Sequence, residues 1–374
     1  MSFGRSSVVQ FAIWGLSEAR FFTQGRTLLP NDRFLACGEI LRMYYGHCRP
    51  VFLGAPRRHY SLHYTYKHDD RTYLISQVRR EPGRVPFGWQ FAIMQTLADT
   101  GAGSVVRPPV PTRHGHFWVT VFRDHWFVRS YTGHDPAPDW LAVSLVEDAA
   151  RKLALVHRNT AAIERAALDA SESDLNVYDW PMARVLRQAD PLIADMVSRG
   201  RSLEHIKVVS TGLARLSKER VGLYLGPKGV THHDLRTENL LVEDGRVVEI
   251  VDWDRAHWDV QWYDVTLAGL HLAYLEPVNL RWDLADAFIA AYQEETEHEL
   301  KPDALAWLFR FTAVRNLAVS RSPAKWARLV RGVENRWGGM PSAIVGDLVA
   351  EDQVAADLNV PAEDGGSLGA VGVG

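Results

Sequence analysis

Cysteine is nearly absent from this chain: Cys37 and Cys48 are the only two in 374 residues. That is too few for a disulfide framework, nothing near them has metal-ligand spacing, and a reducing cytoplasm is the expected compartment. Long apolar runs are missing as well. The stretch 8–16 is short and contains Gln10 and Gly15, so it is expected to be an amphipathic or packing segment. No run approaches the roughly 20 apolar residues that cross a bilayer, and no membrane partner is expected. Nor is there an excess of charge of one sign. A net charge of −3 and a pI near 6.6 give no global basic field. Nucleic acid is therefore not an expected partner, and any affinity for phosphate must come from a local site.

What is present is an ordinary globular composition, 47% hydrophobic with 13 Trp, in a chain long enough for two lobes. Residues 1–44 have apolar groups at mixed spacing and are expected to form a helical appendage. From His59 the pattern alternates through Tyr60, Leu62, Tyr64 and Tyr66; Asp69-Asp70-Arg71 turns the chain, and 72–78 resumes as a strand. Helical spacing follows over 87–98, closed by Gly101 and Gly103. Two more strands are predicted at 116–122 and 126–131, before a break at Gly133-His134-Asp135-Pro136. Beyond it Ala142, Leu145, Val146, Ala149, Leu153 and Val156 make an apolar helical stripe. Further helical patterns fill about 160–170, 181–220, 263–276, 283–298 and 302–333. The end, from about 351, with its Gly-Gly-Ser and Gly-Ala-Val-Gly-Val-Gly, has too little apolar content to pack and is expected to be disordered.

One stretch names a chemistry. His232-His233-Asp234-Leu235-Arg236-Thr237-Glu238-Asn239 places an acid able to receive a hydroxyl proton and an amide oxygen able to bind Mg²⁺ on one short loop. Two apolar runs, 240–243 and 247–251, follow, joined by Asp244-Gly245-Arg246, which predicts a β-hairpin. The hairpin returns Asp252 to Asn239, so that two oxygen donors can share one hard cation and its triphosphate. Asp252 is expected at the end of a buried strand, where an unpaired carboxylate is costly and a metal offsets that cost.

The order of these elements resembles the aminoglycoside phosphotransferase and choline kinase family, whose signature is His-Gly-Asp-x-x-x-x-Asn followed by a strand ending in Ile-Asp-Trp-Glu. Here the matching stretches are 232–239 and Ile250-Val251-Asp252-Trp253-Asp254. The resemblance implies an α+β, bilobal, protein-kinase-like fold. Its expected parts are an appendage over 1–44, a β-rich nucleotide-binding lobe over 45–133, a helical catalytic and acceptor-binding lobe over 134–349, and a tail over 350–374. It implies ATP and Mg²⁺ as cofactors, Asp234 as catalytic base, and Asn239 and Asp252 as metal and nucleotide ligands. His232 is implied as a structural brace. Asp264, in Trp262-Tyr263-Asp264-Val265, either supports the catalytic loop or caps a helix. Asp254 assists the metal or caps. Arg236, two residues after the base, either offsets charge on the transferred phosphoryl group or is an ordinary exposed arginine.

The chain also departs from the pattern. His233 stands where the family has Gly. A kinase holds the α- and β-phosphates with a strand cation paired to a helix Glu, yet those positions fall on Ser76 and Gln90. Losing both is less disruptive than leaving one charge buried alone. Arg79 or Arg80 is the candidate replacement, and strand alternation puts Arg80 on the face of Ser76. Gly54-Ala55-Pro56-Arg57-Arg58-His59 is not a Gly-rich kinase loop, and Arg57, Arg58 and Ser61 are candidate phosphate contacts.

The expected function is ATP- and Mg²⁺-dependent phosphoryl transfer to a hydroxyl. The acceptor is an aminoglycoside-like or other small alcohol, or a Ser/Thr of a precursor peptide whose phosphate a partner enzyme in a complex eliminates. Glu294, Glu295 and Glu297 suit a cationic acceptor or are a solvated helix face. The alternative is a pseudokinase, a nucleotide-binding or scaffolding subunit: Ser76 and Gln90 argue for it, and retention of Asp234, Asn239 and Asp252 argues against it.

Overall fold

The computed structural model describes residues 30–53, 57–58, 62–79, 87–121, 124–138, 140–162, 180–220, 223–274, 280–320 and 322–338. The expected tail, most of the expected appendage, and both Ser61 and Arg80 lie outside the described residues.

Helix α1 (Pro30–Ile40) runs into a wider π turn (Leu41–Tyr45) and leads to six short strands: β1 (Val51–Phe52), β2 (Arg57–Arg58), β3 (Leu62–His68), β4 (Arg71–Arg79), β5 (Val119–Val121) and β6 (Asp124–Ser130). They form one sheet in the order β1-β3-β4-β6-β5, with β2 also paired to β3. The β3–β4 hairpin forms because Asp69 and Asp70 accept positive φ, 46° and 61°, which matches the twist of the flanking strands. Alternation then buries Leu62, Tyr64 and Tyr66 on one face, against Cys37, Ile40, Leu41 and Tyr45. Cys37, Ile40 and Leu41, which fall at the end of the expected appendage, thus pack in the core under the sheet. The strands predicted at 116–122 and 126–131 also shift. β6 starts earlier, at Asp124, because it continues for as long as β4 supplies ladder partners, from Tyr73↔Ser130 to Arg79↔Asp124.

Helix α2 (Phe87–Asp99) buries Phe91, Ile93, Met94 and Leu97 in the larger core beyond the sheet. That core is helical: α3 (Val143–Arg158), α4 (Met182–Arg187), α5 (Ala189–Ser198), α6 (Leu203–Glu219), α7 (Gln261–Ala273), α8 (Trp282–Thr296), α9 (Pro302–Val319) and α10 (Pro323–Trp337). The pattern over 181–220 resolves into three helices and that over 302–333 into two, the last starting where Pro323 fits a first helical turn but not a helix interior. α7 and α9 are buried on nearly every side, packed on each other and flanked by α6, α8 and α10. Each large side chain enclosed there, such as Trp262, Phe309 or Phe311, contributes about 2 kcal/mol by leaving water.

Small strands carry the loops between these layers. β8 (Lys228–Thr231) pairs with β11 (His257–Val260), while β9 (Leu240–Glu243) pairs with β10 (Arg246–Ile250) and with β7 (Asp135–Pro136). β11 carried no signal in the sequence reading. Gly226 leads into β8 with φ +91°, and a Cβ there would lie 2.2 Å from Cδ1 of Trp262, so only glycine passes that indole. The whole is the expected α+β arrangement, a sheet-rich N-terminal part beside a helical C-terminal part.

Candidate active site

The 232–239 loop leaves β8 and enters β9, and the β9–β10 hairpin brings the chain back beside it. Asp244 and Gly245, at φ 49° and 72°, make the expected turn. Ile250 then pairs with Leu240, and the Val251 amide donates to the Asn239 carbonyl at 3.0 Å. Asp252 follows immediately, one residue beyond this bond.

Asn239 is buried and its side-chain amide donates to the Asp234 carbonyl at 2.7 Å and more weakly to Asp234 Oδ2 at 3.4 Å. A carbonyl can only accept, so the NH₂ end of Asn239 is committed to Asp234 and its Oδ1 is the atom left for a cation. Asp252 differs from expectation. β10 ends at Ile250, the backbone turns left-handed at Asp252 with φ 67°, and the residue is exposed to solvent. The argument from a costly buried carboxylate therefore fails, and what stands is its place beside Asn239.

Asp234 is mostly enclosed, with 15% of its side chain exposed. Burial pushes its carboxyl above the usual range, against the pull of Arg255, Arg236 and His232, and Asp252 adds a push in the same direction as burial. Arg236 Nε lies 3.6 Å from Asp234 Oδ2 and 3.7 Å from Glu238 Oε2, so this arginine sits between two carboxylates at the loop. Lys325, in the first turn of α10, also faces this group. Burial lowers its ammonium below the ordinary range, Glu238 and Asp234 act to raise it, and Arg236 adds to the lowering. Its Nζ lies 4.6 Å from the centre of the Tyr274 ring. Neither Arg255 nor Lys325 was singled out in the sequence. Lys325 is 91 positions from Asp234, and only the packing of α10 brings it near.

His232 has both ring nitrogens engaged by backbone. Nδ1 accepts the Asp234 amide at 3.2 Å, which leaves Nε2–H to donate to the Val251 carbonyl at 2.9 Å. One ring thus ties the start of the loop to the strand end before Asp252, and the Trp253 ring packs edge-on against it. Asp264, fully buried in the first turn of α7, accepts the His232 amide at 2.7 Å and the His233 amide at 2.8 Å. It also faces His157 Nε2 at 3.2 Å, and His157 Nδ1 meets the Tyr292 hydroxyl at 2.8 Å. Burial opposes ionisation of Asp264, but the hydrogen bond from His157 and the fields of His157, His233 and His232 hold the carboxyl well below the carboxylate range. Of the two readings left open for Asp264, the geometry is that of a clamp on the loop. His157 and Tyr292 were not anticipated; a histidine closing an apolar helical stripe was the only available signal.

Ser76 and Gln90, expected at the positions of the strand cation and helix glutamate, are both neutral and buried. Ser76 Oγ pairs with His63 Nδ1 at 2.8 Å. Gln90 donates to the Asp254 carbonyl at 3.1 Å, tying α2 to the turn after Asp252. Of the substitutes considered, Arg80 and Ser61 lie outside the described residues, and for Arg57, Arg58 and Arg79 only the backbone pairing is described. Glu294 and Glu295 pair with Arg151 at 3.8 Å and Arg158 at 2.6 Å on the outer face of α3, and Glu297 ends α8 in a left-handed conformation. They give no support to a cationic acceptor.

No helix among the described residues is long and apolar enough to cross a membrane. No curated protein matches the chain in sequence. Among solved structures it is similar to a microcompartment-associated aminopropanol kinase, at 16% identity and a TM-score of 0.59, covering 87% of this chain and 98% of that one. It is also similar to a spectinomycin phosphotransferase in complex with ADP and spectinomycin, at 14% identity and a TM-score of 0.53, covering 85% and 98%. A thermostable mutant of an aminoglycoside phosphotransferase, in a ternary complex with AMP-PNP and hygromycin B, aligns at 12% identity and a TM-score of 0.54, covering 83% and 98%. At these identities the likeness is one of fold. Residues 61–305 match the model of the phosphotransferase enzyme family, and the chain belongs to that family.

Proposed function

We propose that this protein transfers the γ-phosphoryl group of ATP to a hydroxyl of a small molecule. The observation that carries this reading is the convergence of Asp234, Asn239 and Asp252, with the Asn239 amide hydrogen-bonded to Asp234 and its carbonyl bonded to Val251, next to Asp252. Two hard oxygen donors, an amide Oδ1 and an exposed carboxylate, fit Mg²⁺; Asn239 and Asp252 would hold it, and it would neutralise charge on the triphosphate.

In this reading Asp234 orients the acceptor hydroxyl and receives its proton as the new P–O bond forms. Burial favours that proton, which suits a group that must take one during transfer, while Arg255 and Arg236 favour the carboxylate form. His232 and Asp264 hold the loop backbone, so Asp234 is already placed before substrate arrives. Complexes of similar structures with ADP and AMP-PNP support a nucleotide as the donor.

The test is ADP release from Mg-ATP by wild type and Asp234→Asn across aminoglycosides, amino alcohols, sugars and Ser/Thr peptides. Turnover with at least one acceptor, lost in the variant, is expected. Tight Mg-ATP binding with no turnover on any acceptor would replace this reading with the scaffolding one, which the neutral pair Ser76 and Gln90 favours. Turnover on peptides alone would move the acceptor from a small alcohol to a precursor peptide.

A further inference from the structure

Behind the 232–239 loop, three buried ligand-type side chains converge that phosphoryl transfer does not use. His233 comes from the loop itself, and His257 and Asp259, two residues apart, share one face of β11. Their side chains are 2%, 4% and 3% exposed. One donor atom from each lies within 4.8 Å of the others, and the two imidazole centres are 3.6 Å apart.

The two Nε2 atoms of this cluster face one carboxylate oxygen from beyond hydrogen-bond distance. His257 Nδ1 is 2.7 Å from the Arg255 carbonyl, which can only accept, so Nδ1 carries the hydrogen. In a neutral ring that leaves Nε2 as a bare lone pair, and it faces Asp259 Oδ2, a second acceptor, at 3.8 Å. His233 Nε2 lies 3.6 Å from the same oxygen. Both Nε2 atoms are buried and without a hydrogen-bond partner. These separations exceed the roughly 3.2 Å limit of an N–H···O bond. They are near the separation of about 3.3 Å between two ligands that share a tetrahedral ion at bond lengths of about 2.0–2.2 Å. To share one ion the two nitrogens would close on Asp259 Oδ2 by a few tenths of an ångström, and the two rings, 3.6 Å apart at their centres, would swing outward.

The surroundings are those of a built site. Asp259 Oδ2 accepts the Met182 amide at 2.7 Å and Oδ1 accepts the Val260 amide at 2.8 Å, which fixes the carboxylate, while the Arg255 carbonyl fixes the His257 ring. His233 adopts φ 64°, in the left-handed region that favours glycine, and the hydrogen bond of its amide to Asp264 holds it there. The geometry points to a structural site for a divalent metal ion of the zinc class, formed by His233, His257 and Asp259 and made of residues other than Asn239 and Asp252. Two imidazoles and a carboxylate suit Zn²⁺ or Co²⁺ over Mg²⁺. Such an ion would pin the residue next to Asp234 to β11.

The inference does not rest on catalysis, and its test reads metal alone. The full chain, freed of nucleotide and dialysed, is assayed for bound zinc by mass spectrometry, for Co²⁺ uptake by visible absorption, and for the rise in melting temperature on adding zinc to chelator-treated protein. Stoichiometric zinc, a tetrahedral cobalt spectrum and a zinc-dependent rise are expected of the wild type. His257→Gln and His233→Gly should weaken binding on the order of tenfold or more, whereas Asp252→Asn should leave it unchanged. The glycine variant suits the φ of that position and should fold. A folded wild type that takes up neither metal stoichiometrically, or a His233→Gly protein that binds as the wild type does, would overturn the site.

Discussion

The 232–239 loop and the N-terminal region of sheet and α2 are built on opposite principles. Around the loop, ionisable groups are buried and cross-linked: Asp264 holds two loop amides and His157, His232 spans from the Asp234 amide to the Val251 carbonyl, and Asn239 holds Asp234. In the N-terminal part, Ser76 of β4 and Gln90 of α2, expected at the positions of a kinase's cation and glutamate, each make a hydrogen bond instead. The contrast teaches where charge is worth its desolvation. A buried carboxylate survives where several N–H groups converge on it, whereas an ion pair that grips phosphates is dispensable as a pair but not one half at a time.

The comparison breaks most sharply at Asp234. Asp234→Asn should cut ADP-coupled transfer by on the order of 1,000-fold while leaving the fold and Mg-ATP binding in place; an unchanged rate would move the chemistry away from the loop. Next is the clamp. Asp264→Ala strands two buried amides and His157, and urea unfolding should show a loss of about 3 kcal/mol or more. Gln90→Ala, on the neutral side of the comparison, should cost only about 1 kcal/mol.

Restoring the missing pair sharpens the contrast. Ser76→Lys alone places an ammonium at a fully buried position and should destabilise by about 2 kcal/mol, with Gln90→Glu recovering part of that loss. A double-mutant cycle on stability, together with the KM for ATP, checks this; strictly additive changes would show that the two positions do not pair here.

The pH dependence follows from Asp234. Its carboxyl is raised by burial, so transfer should fall on the acid side at a higher pH than the value of about 4 typical of a free carboxylate. Arg236→Ala removes a neighbouring cation and should shift that limb further up. In the stability profile the sign is the reverse of an ordinary ion-paired aspartate. The folded chain binds this proton more readily than the unfolded one, so the contribution is greatest at acid pH and is lost as the pH rises through the raised value. The smallest effect is expected at Glu294→Gln, within about 0.5 kcal/mol and with no change in acceptor preference, because that side chain is 78% exposed.

Much of this site was legible because its signals are local. Asp-Gly at 244–245 sets the turn and the first pairs of the hairpin, and a bulge between Val247 and Glu249 then shifts the ladder to Ile250↔Leu240, two residues before Asp252. The β3–β4 hairpin was readable from Asp69-Asp70 for the same reason. The exposure of Asp252 was not, since it depends on a left-handed residue just past the strand end. The burial of α1's end was also missed, because mixed apolar spacing does not say which surface will cover it.

The sequence by itself determined the fold class and the hairpin that follows the 232–239 loop, since the hairpin depends on contacts within about 20 residues and on the preferences of turn and strand residues. Only the tertiary structure decided that Asp264 clamps the loop through His157 and Tyr292, that Lys325 and Arg255 face Asp234, and that His233 meets His257 and Asp259. Those meetings are made by helices and strands packing from distant parts of the chain, and side-chain chemistry alone carries no record of which distant partner will arrive.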